Sequence, residues 1–284
     1  MTYLSLNDFL IEPIVRAALE EDLGRAGDVT SDAIIPPGMS ASAVMVARTG
    51  GVIAGLPVAG AAFRLIDENL RFEPLVEEGA RVGAGTAAAR VSGSARAILT
   101  AERVALNFAC RLSGIATLTA RYADLVKHTR AKICETRKTT PNLRVLEKYA
   151  VRCGGGSNHR FGLDDAFLIK DNHIAVAGGI APALRAAKSA AGHLVKIEIE
   201  VDTLAQLKEV IAEGADFVLF DNMSPDLMRE GVAMIGGRMK SEASGGITLQ
   251  TAKAIAESGV DLLSIGALTH SAPILDLGLD IEIG

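Results

Sequence analysis

The sequence predicts an α/β protein in which an α+β N-terminal region precedes a parallel α/β barrel, and three observations carry that prediction. The chain has 284 residues, enough for one large barrel or two domains with an ample core. Over its second half, short β-like runs alternate with helical patterns, the rhythm of parallel strands joined by crossover helices. Aromatic residues make up only 4% with no Trp, while glycines number 29, a mixture suited to Ala/Val/Ile/Leu layers and tight turns.

Residues 6–19 place apolar groups at Phe9, Leu10, Pro13/Ile14, Ala17 and Ala18, the spacing of a helix with one buried face, and Gly24 ends it. Asp28-Val-Thr-Ser-Asp32 and Pro36-Pro37-Gly38 lead into short apolar runs at 43–47, 51–54, 71–76 and 86–91, separated by Gly/Pro turns. With a helix near 58–70, these runs read as an antiparallel sheet crossed by a helix. Residues 95–129 are mostly helix-forming, with a break expected at Ser113-Gly114. Seven strand candidates follow, at 131–135, 151–153, 166–170, 195–200, 217–220, 240–243 and 262–265, a number that suits a closed or nearly closed barrel. Gly214 and Gly259, ahead of the fifth and seventh candidates, stand where left-handed helix caps are wanted. The expected division is 1–113 and 114–274, with the tail from about 275 to 284 packing on the first domain.

A formal net charge of −5 disfavours nucleic acid, which requires a surplus of Lys and Arg on one face. Cys110, Cys134 and Cys153 have neither the pairing of a disulfide frame nor the spacing of a zinc site. The start of the chain lacks a basic leader, and no run of about 18 uncharged apolar residues occurs, so a cytoplasmic protein without a membrane span is expected.

Nearly every strand candidate ends in polar residues. Glu135-Thr-Arg-Lys138 follows the first, Asn158-His-Arg160 the second and Lys170-Asp-Asn-His173 the third; Glu200 closes the fourth and Asp221-Asn222 follows the fifth. Ser244-Gly-Gly246 follows the sixth, Gly266-Ala267 the seventh, with His270 shortly after. In parallel α/β folds the carboxyl edge of the strands is where ligands bind, so these tips share one mouth. Adjacent cations in Arg137-Lys138 and His159-Arg160 repel unless an anion or a carboxylate lies between them.

Ser244-Gly245-Gly246 offers a hydroxyl and unhindered N–H groups ahead of an expected helix at 248–257, a cradle for an anion, with Gly266-Ala267 as its second half. Gly154-Gly155-Gly156 serves equally as an anion loop or a plain bend. Glu200 and Asp221 suit vicinal hydroxyls, or a divalent metal reached through water, and are too few for a permanent metal cage. Arg103 lies one helical turn from Asn107 on the same face, where its residue type leaves open both a ligand contact and a surface ion pair with Glu102.

Taken in order, these residues resemble the quinolinate phosphoribosyltransferase family over nearly the whole chain. The resemblance runs from Glu21-Asp-Leu23 and Gly27-Asp-Val-Thr-Ser31 through Ala101-Glu-Arg-Val-Ala-Leu-Asn107 and Arg111-Leu-Ser-Gly-Ile-Ala116. It continues in Glu135-Thr-Arg-Lys-Thr-Thr-Pro141, Glu147-Lys-Tyr149, Asn158-His-Arg160, Lys170-Asp-Asn-His173, Ser244-Gly-Gly246 and Gly266-Ala-Leu-Thr-His270. Asn158 stands where serine is common in the family.

The resemblance implies an N-terminal α/β open sandwich and an incomplete seven-stranded barrel, working as a homodimer or larger assembly in which Arg103 enters the neighbour's site. It implies transfer of phosphoribose from 5-phosphoribosyl-1-pyrophosphate to quinolinate, with decarboxylation to nicotinate mononucleotide in NAD synthesis and Mg²⁺ as the cofactor. Arg103, Arg137 and Arg160, with His159 and Lys170, would hold the quinolinate carboxylates, because guanidinium forks bind carboxylate bidentately. Ser244, Gly245, Gly246 and Gly266 would take the 5-phosphate, Glu200 and Asp221 the ribose, with Ile265 and Ala267 as further substrate-binding residues. Lys138 and His270 would face the pyrophosphate, and Thr136 is a further substrate-binding residue. Lys138, Lys170, Glu200 and Asp221 are the expected catalytic groups. Two other readings remain at this stage: a relative that keeps the fold to bind an oxyanion or another phosphate-bearing ligand, and a barrel aldolase using Lys138 or Lys170 as a Schiff-base amine.

Overall fold

The computed structural model describes residues 6–282, which fall into two compact units. The first takes in the residues up to Ala120, Thr139–Gly155 and those from Leu268 onward; the second consists of Arg121–Lys138 and Gly156–Ala267.

In the first unit, the Asn7 side chain accepts the Phe9 N–H (3.0 Å) and starts the helix Asp8–Leu23. Its buried stripe is Ile11, Val15 and Leu19, whereas Phe9 is 88% exposed, so the expected face is turned from the one that packs. Strict i, i+4, i+8 stacking selects the stripe, and that line meets the helix Leu56–Ile66. Strands Ser40–Ala47 (β1), Gly51–Val52 (β2), Arg71–Pro74 (β3), Arg81–Val82 (β4) and Ala87–Ser94 (β5) follow. β3, β5 and β1 pair antiparallel, and β2 pairs with the unexpected short β4. Burial alternates along β1, as a sheet with one covered face requires.

The helix Ala95–Val126 runs unbroken through the expected break at Ser113-Gly114. Ser113 instead reaches sideways, accepting the Ala54 N–H (2.9 Å) and donating to the Ala54 carbonyl (3.0 Å). A Cβ on Gly114 would run into the Pro273 carbonyl. The two residues therefore permit close packing rather than ending the helix.

The second unit is built on Lys132–Cys134 (β6), Phe167–Ile169 (β7), Ile197–Val201 (β8), Phe217–Asp221 (β9), Lys240–Ser244 (β10) and Leu262–Ser264 (β11). They form one parallel ladder in the order β7-β8-β9-β10-β11-β6, an incomplete barrel. The strand expected at 151–153 is the end of the helix Arg144–Cys153, and a single parallel bridge from Cys134 to Ser157 stands in its place. A three-residue apolar run does not distinguish a strand from one buried helical turn.

Two successive βα units share one lock. Asp216 accepts the Ile197 N–H (2.9 Å) and Lys196 Nζ (2.6 Å), and Asp261 accepts the Ser241 N–H (3.1 Å) and Lys240 Nζ (2.8 Å). Clamping the amino ends of β8 and β10 to the residues entering β9 and β11 fixes their register, and hence the heights of their far ends. The chain closes with Leu277–Glu282 (β12), antiparallel to β1 in the first unit. Among the described residues, no helix is long and apolar enough to cross a membrane.

Candidate active site

Because the strands of the second unit are parallel, their carboxyl ends share one edge. Thr136, Arg137 and Lys138 follow β6 there, His159 and Arg160 follow the Ser157 bridge, and Lys170 follows β7; Glu200 and Asp221 lie near or at the ends of β8 and β9. Ser244 ends β10 ahead of Gly245 and Gly246, and Ile265, Gly266 and Ala267 follow β11. The register places Glu198 and Glu200, Leu219 and Asp221, and Glu242 and Ser244 on one sheet face. Arg103 and His270 belong to the first unit; both are exposed, and His270 Nδ1 meets Ser271 Oγ (2.6 Å).

Several tips have their own supports. Thr136 Oγ1 accepts the Lys138 N–H (3.1 Å), tightening the turn that carries Arg137. Lys170 Nζ donates to Glu200 Oε2 (3.2 Å). Asn222, left-handed at φ 54°, donates its N–H to the Ser244 carbonyl (3.0 Å) and its side-chain amide to Asp221 (2.7 Å). It thereby ties the tips of β9 and β10 together.

Gly245 has φ +94° and Gly246 +59°, and a Cβ on Gly245 would strike the Asn222 amide. Both glycines are thus demanded by the turn itself. The helix expected to start at Thr248 starts at Ala252. Thr248 and Thr251 bond to each other first, the Thr248 N–H reaching Thr251 Oγ1 (2.9 Å), so no helix terminus directly follows the glycine turn. Gly154 and Gly155 form a bend: Gly154 closes the helix Arg144–Cys153 and packs against the Ala116 carbonyl, where a Cβ would not fit, and Gly155 has φ +86°.

Beneath these tips lies a buried polar floor that the sequence reading passed over. Glu135, fully buried, accepts Asn158 Nδ2 (3.1 Å) and the His159 N–H (3.1 Å), fastening the 158–160 loop to the end of β6. His159 Nε2 lies 3.3 Å from Glu198 Oε2 and 3.4 Å from Glu242 Oε1, and its Nδ1 accepts the Arg160 N–H (2.7 Å). Burial pulls the His159 pKa down, and the neighbouring Glu198 and Glu242 carboxylates push it up. The Arg160 N–H opposes the second proton, because an Nδ1–H would face another N–H; in this geometry Nδ1 carries the lone pair and Nε2 the hydrogen. A ring so engaged presents no free nitrogen to a metal, although the three side chains offer ligand atoms within 4.8 Å of one another. Burial, then the charge of Glu242, pushes the Glu198 carboxyl up.

Arg160 sends Nη1 to the Ala166 carbonyl (3.0 Å), and its pKa is lowered by burial and by the nearby Arg137. Among the described residues, the buried side-chain N and O atoms without a hydrogen-bond partner are Arg137 Nε, Arg160 Nε, Glu198 Oε1 and Glu242 Oε1. One signal of this floor was present in the sequence: Glu198 and Glu200 recur at i, i+2 in an apolar strand, so Glu198 had to share the face of Glu200. The approach of Glu242 and the tie made by Asn222 had no such signal.

Residues 28–113 match the quinolinate phosphoribosyl transferase N-terminal domain, and residues 115–280 match its C-terminal domain. The chain is 45% identical over 278 residues to a probable nicotinate-nucleotide pyrophosphorylase [carboxylating] of Bacillus subtilis, covering 98% of this chain and 96% of that protein. It is 46% identical over 275 residues to the nicotinate-nucleotide pyrophosphorylase [carboxylating] of Mycobacterium leprae, covering 94% and 95%. The solved nicotinate-nucleotide pyrophosphorylase of Francisella tularensis superposes with a TM-score of 0.93 at 37% identity, covering 98% of both chains. Two consecutive domain matches, close relatives aligned over nearly their full length and a shared fold place this chain in the quinolinate phosphoribosyltransferase family.

Proposed function

We propose that this chain transfers the phosphoribosyl group of 5-phosphoribosyl-1-pyrophosphate to quinolinate and decarboxylates the adduct, yielding nicotinate mononucleotide, pyrophosphate and CO₂ for NAD biosynthesis. The observation that supports it most is the pair of buried Nε donors on Arg137 and Arg160, which no protein acceptor satisfies. Guanidinium groups crowded at neighbouring strand tips, with donors to spare, fit a planar dicarboxylate.

The reaction then follows from residue chemistry. Arg137 and Arg160 orient the ring so that its nitrogen faces C1 of the ribose, and Lys170 stands beside Glu200 at the same edge. Glu200 and Asp221 hold the sugar hydroxyls and offset positive charge as the C1–O bond to pyrophosphate breaks and the N–C1 bond forms. The glycine turn after Ser244, with Gly266, takes the 5-phosphate, while Lys138 serves the departing pyrophosphate. The N-ribosylated pyridinium accepts the electron pair left as the carboxylate beside the nitrogen departs as CO₂, and that carbon then takes a proton. Glu200 and Asp221, hard oxygen donors at adjacent strand ends, fit Mg²⁺ reached through water, and bound Mg²⁺ would supply charge neutralisation to the pyrophosphate.

The assay that tests this follows ¹⁴CO₂ release from carboxyl-labelled quinolinate. Release is expected only with phosphoribosyl pyrophosphate and Mg²⁺ together; release without the phosphoribosyl donor, or none with everything present, refutes it. The same reading makes the enzyme a cytoplasmic homodimer or larger assembly in which Arg103 reaches a neighbour's site. Mixing inactive Arg103→Ala and Arg160→Ala subunits should then restore part of the activity through hybrid sites. No recovery after demonstrated subunit exchange would place each site within one chain.

A further inference from the structure

We propose that Glu198 and Glu242 are the positioning residues of the quinolinate clamp: buried carboxylates that hold His159, and through it Arg160, while their negative charge allows two guanidinium groups to share one pocket. The inference rests on the assignment of Arg137 and Arg160 to the substrate carboxylates.

Three observations carry it. The first is connectivity, since the His159 ring faces both carboxylates through Nε2 and receives the Arg160 N–H at Nδ1, so the ring and the backbone that bears the guanidinium move together. The second is charge. Arg137 acts against Arg160, and Glu198 and Asp165 act for it. Asp165 is exposed and bonds the N–H groups of Phe161 and Gly162, whereas Glu198 lies under the site. With Glu242 beside it, the two carboxylates offset the repulsion between the two guanidinium groups before a ligand arrives.

The third observation is the waste of hydrogen-bonding capacity. Glu198 Oε1 is buried without a partner and Glu242 Oε1 has only the 3.4 Å approach of His159 Nε2, and a buried carboxylate so placed costs stability. A purely structural role would be better served by glutamine. The Nε groups of Arg137 and Arg160 make no hydrogen bond to either buried carboxylate, an arrangement that keeps them available to a ligand.

Shape and charge make opposite demands, and the test exploits that. In the full-length enzyme, Glu242→Gln and Glu198→Gln keep the shape and remove the charge, whereas Glu242→Asp keeps the charge and shortens the arm. We expect the quinolinate KM to rise ~10-fold or more in the glutamine variants, with phosphoribosyl pyrophosphate KM within about twofold of the parent and Tm unchanged or higher. Glu242→Asp should stay closer to the parent than Glu242→Gln. An unchanged quinolinate KM in both glutamine variants, or a glutamine variant better than the aspartate one, overturns the proposal. Arg137→Ala measured alongside separates the two levels. If it raises the quinolinate KM and the glutamine variants do not, only the positioning role fails; if it too has no effect, the clamp assignment fails.

Discussion

Alanine in place of Arg160 or of Arg137 raises the KM for quinolinate by a factor corresponding to ~2–4 kcal/mol, the loss of one charge-assisted contact to a carboxylate. Both guanidinium groups carry a buried Nε without a protein acceptor, so truncation removes donors that the protein does not itself consume. The effect should fall on quinolinate and leave the KM for phosphoribosyl pyrophosphate near that of the parent, because the glycine turn after β10 is untouched. Arg160→Lys should recover little, since a point ammonium lacks the planar fork and could not keep the contact with the Ala166 carbonyl while reaching a ligand. Steady-state kinetics with each substrate varied separately reads this directly, and an unchanged quinolinate KM in both alanine variants would falsify the assignment.

The second large effect is on stability. Glu147 is fully buried in the first unit, and its carboxylate accepts Arg111 Nη2 (2.8 Å) and Nε (3.3 Å), Thr140 Oγ1 (2.8 Å) and the Thr140 N–H (3.0 Å). Arg111 also donates to the Thr269 and Ala272 carbonyls, so one ion pair joins three stretches of chain. Glu147→Ala leaves a partly buried guanidinium and two Thr140 donors without their acceptor, which should cost ~3–5 kcal/mol. A Tm lower by roughly 5–8 °C is expected in thermal unfolding, with Glu147→Gln intermediate because its amide oxygen still accepts. A Tm within a degree or so of the parent in the alanine variant would show that Arg111 and Thr140 find replacement partners.

The positions that escaped the sequence reading share a cause. An apolar run such as 151–153 satisfies both strand and helix patterns, and only packing chose the helix Arg144–Cys153. Ser113-Gly114 carries the local signature of a break, yet the approach of Pro273 from a distant part of the chain makes that small glycine the condition for an unbroken helix. On the first helix, the apolar residues outnumber the places on one stripe, so Phe9 stays in water while Ile11, Val15 and Leu19 pack.

By itself the sequence determined the α/β class, the parallel rhythm of the second half, the polar character of the strand tips and, through motifs such as Glu135-Thr-Arg-Lys-Thr-Thr-Pro141, the family. These are local properties, set by side-chain period, turn residues and short spacings. Only the tertiary structure decided which charges lie on the site floor. Glu242 is 83 residues beyond His159 in the chain, and their meeting depends on the order and register of parallel strands, which no local pattern encodes. Burial then sets the chemistry of the floor, because desolvation and Glu242 work against the charge of Glu198 while His159 and Arg160 act to keep it.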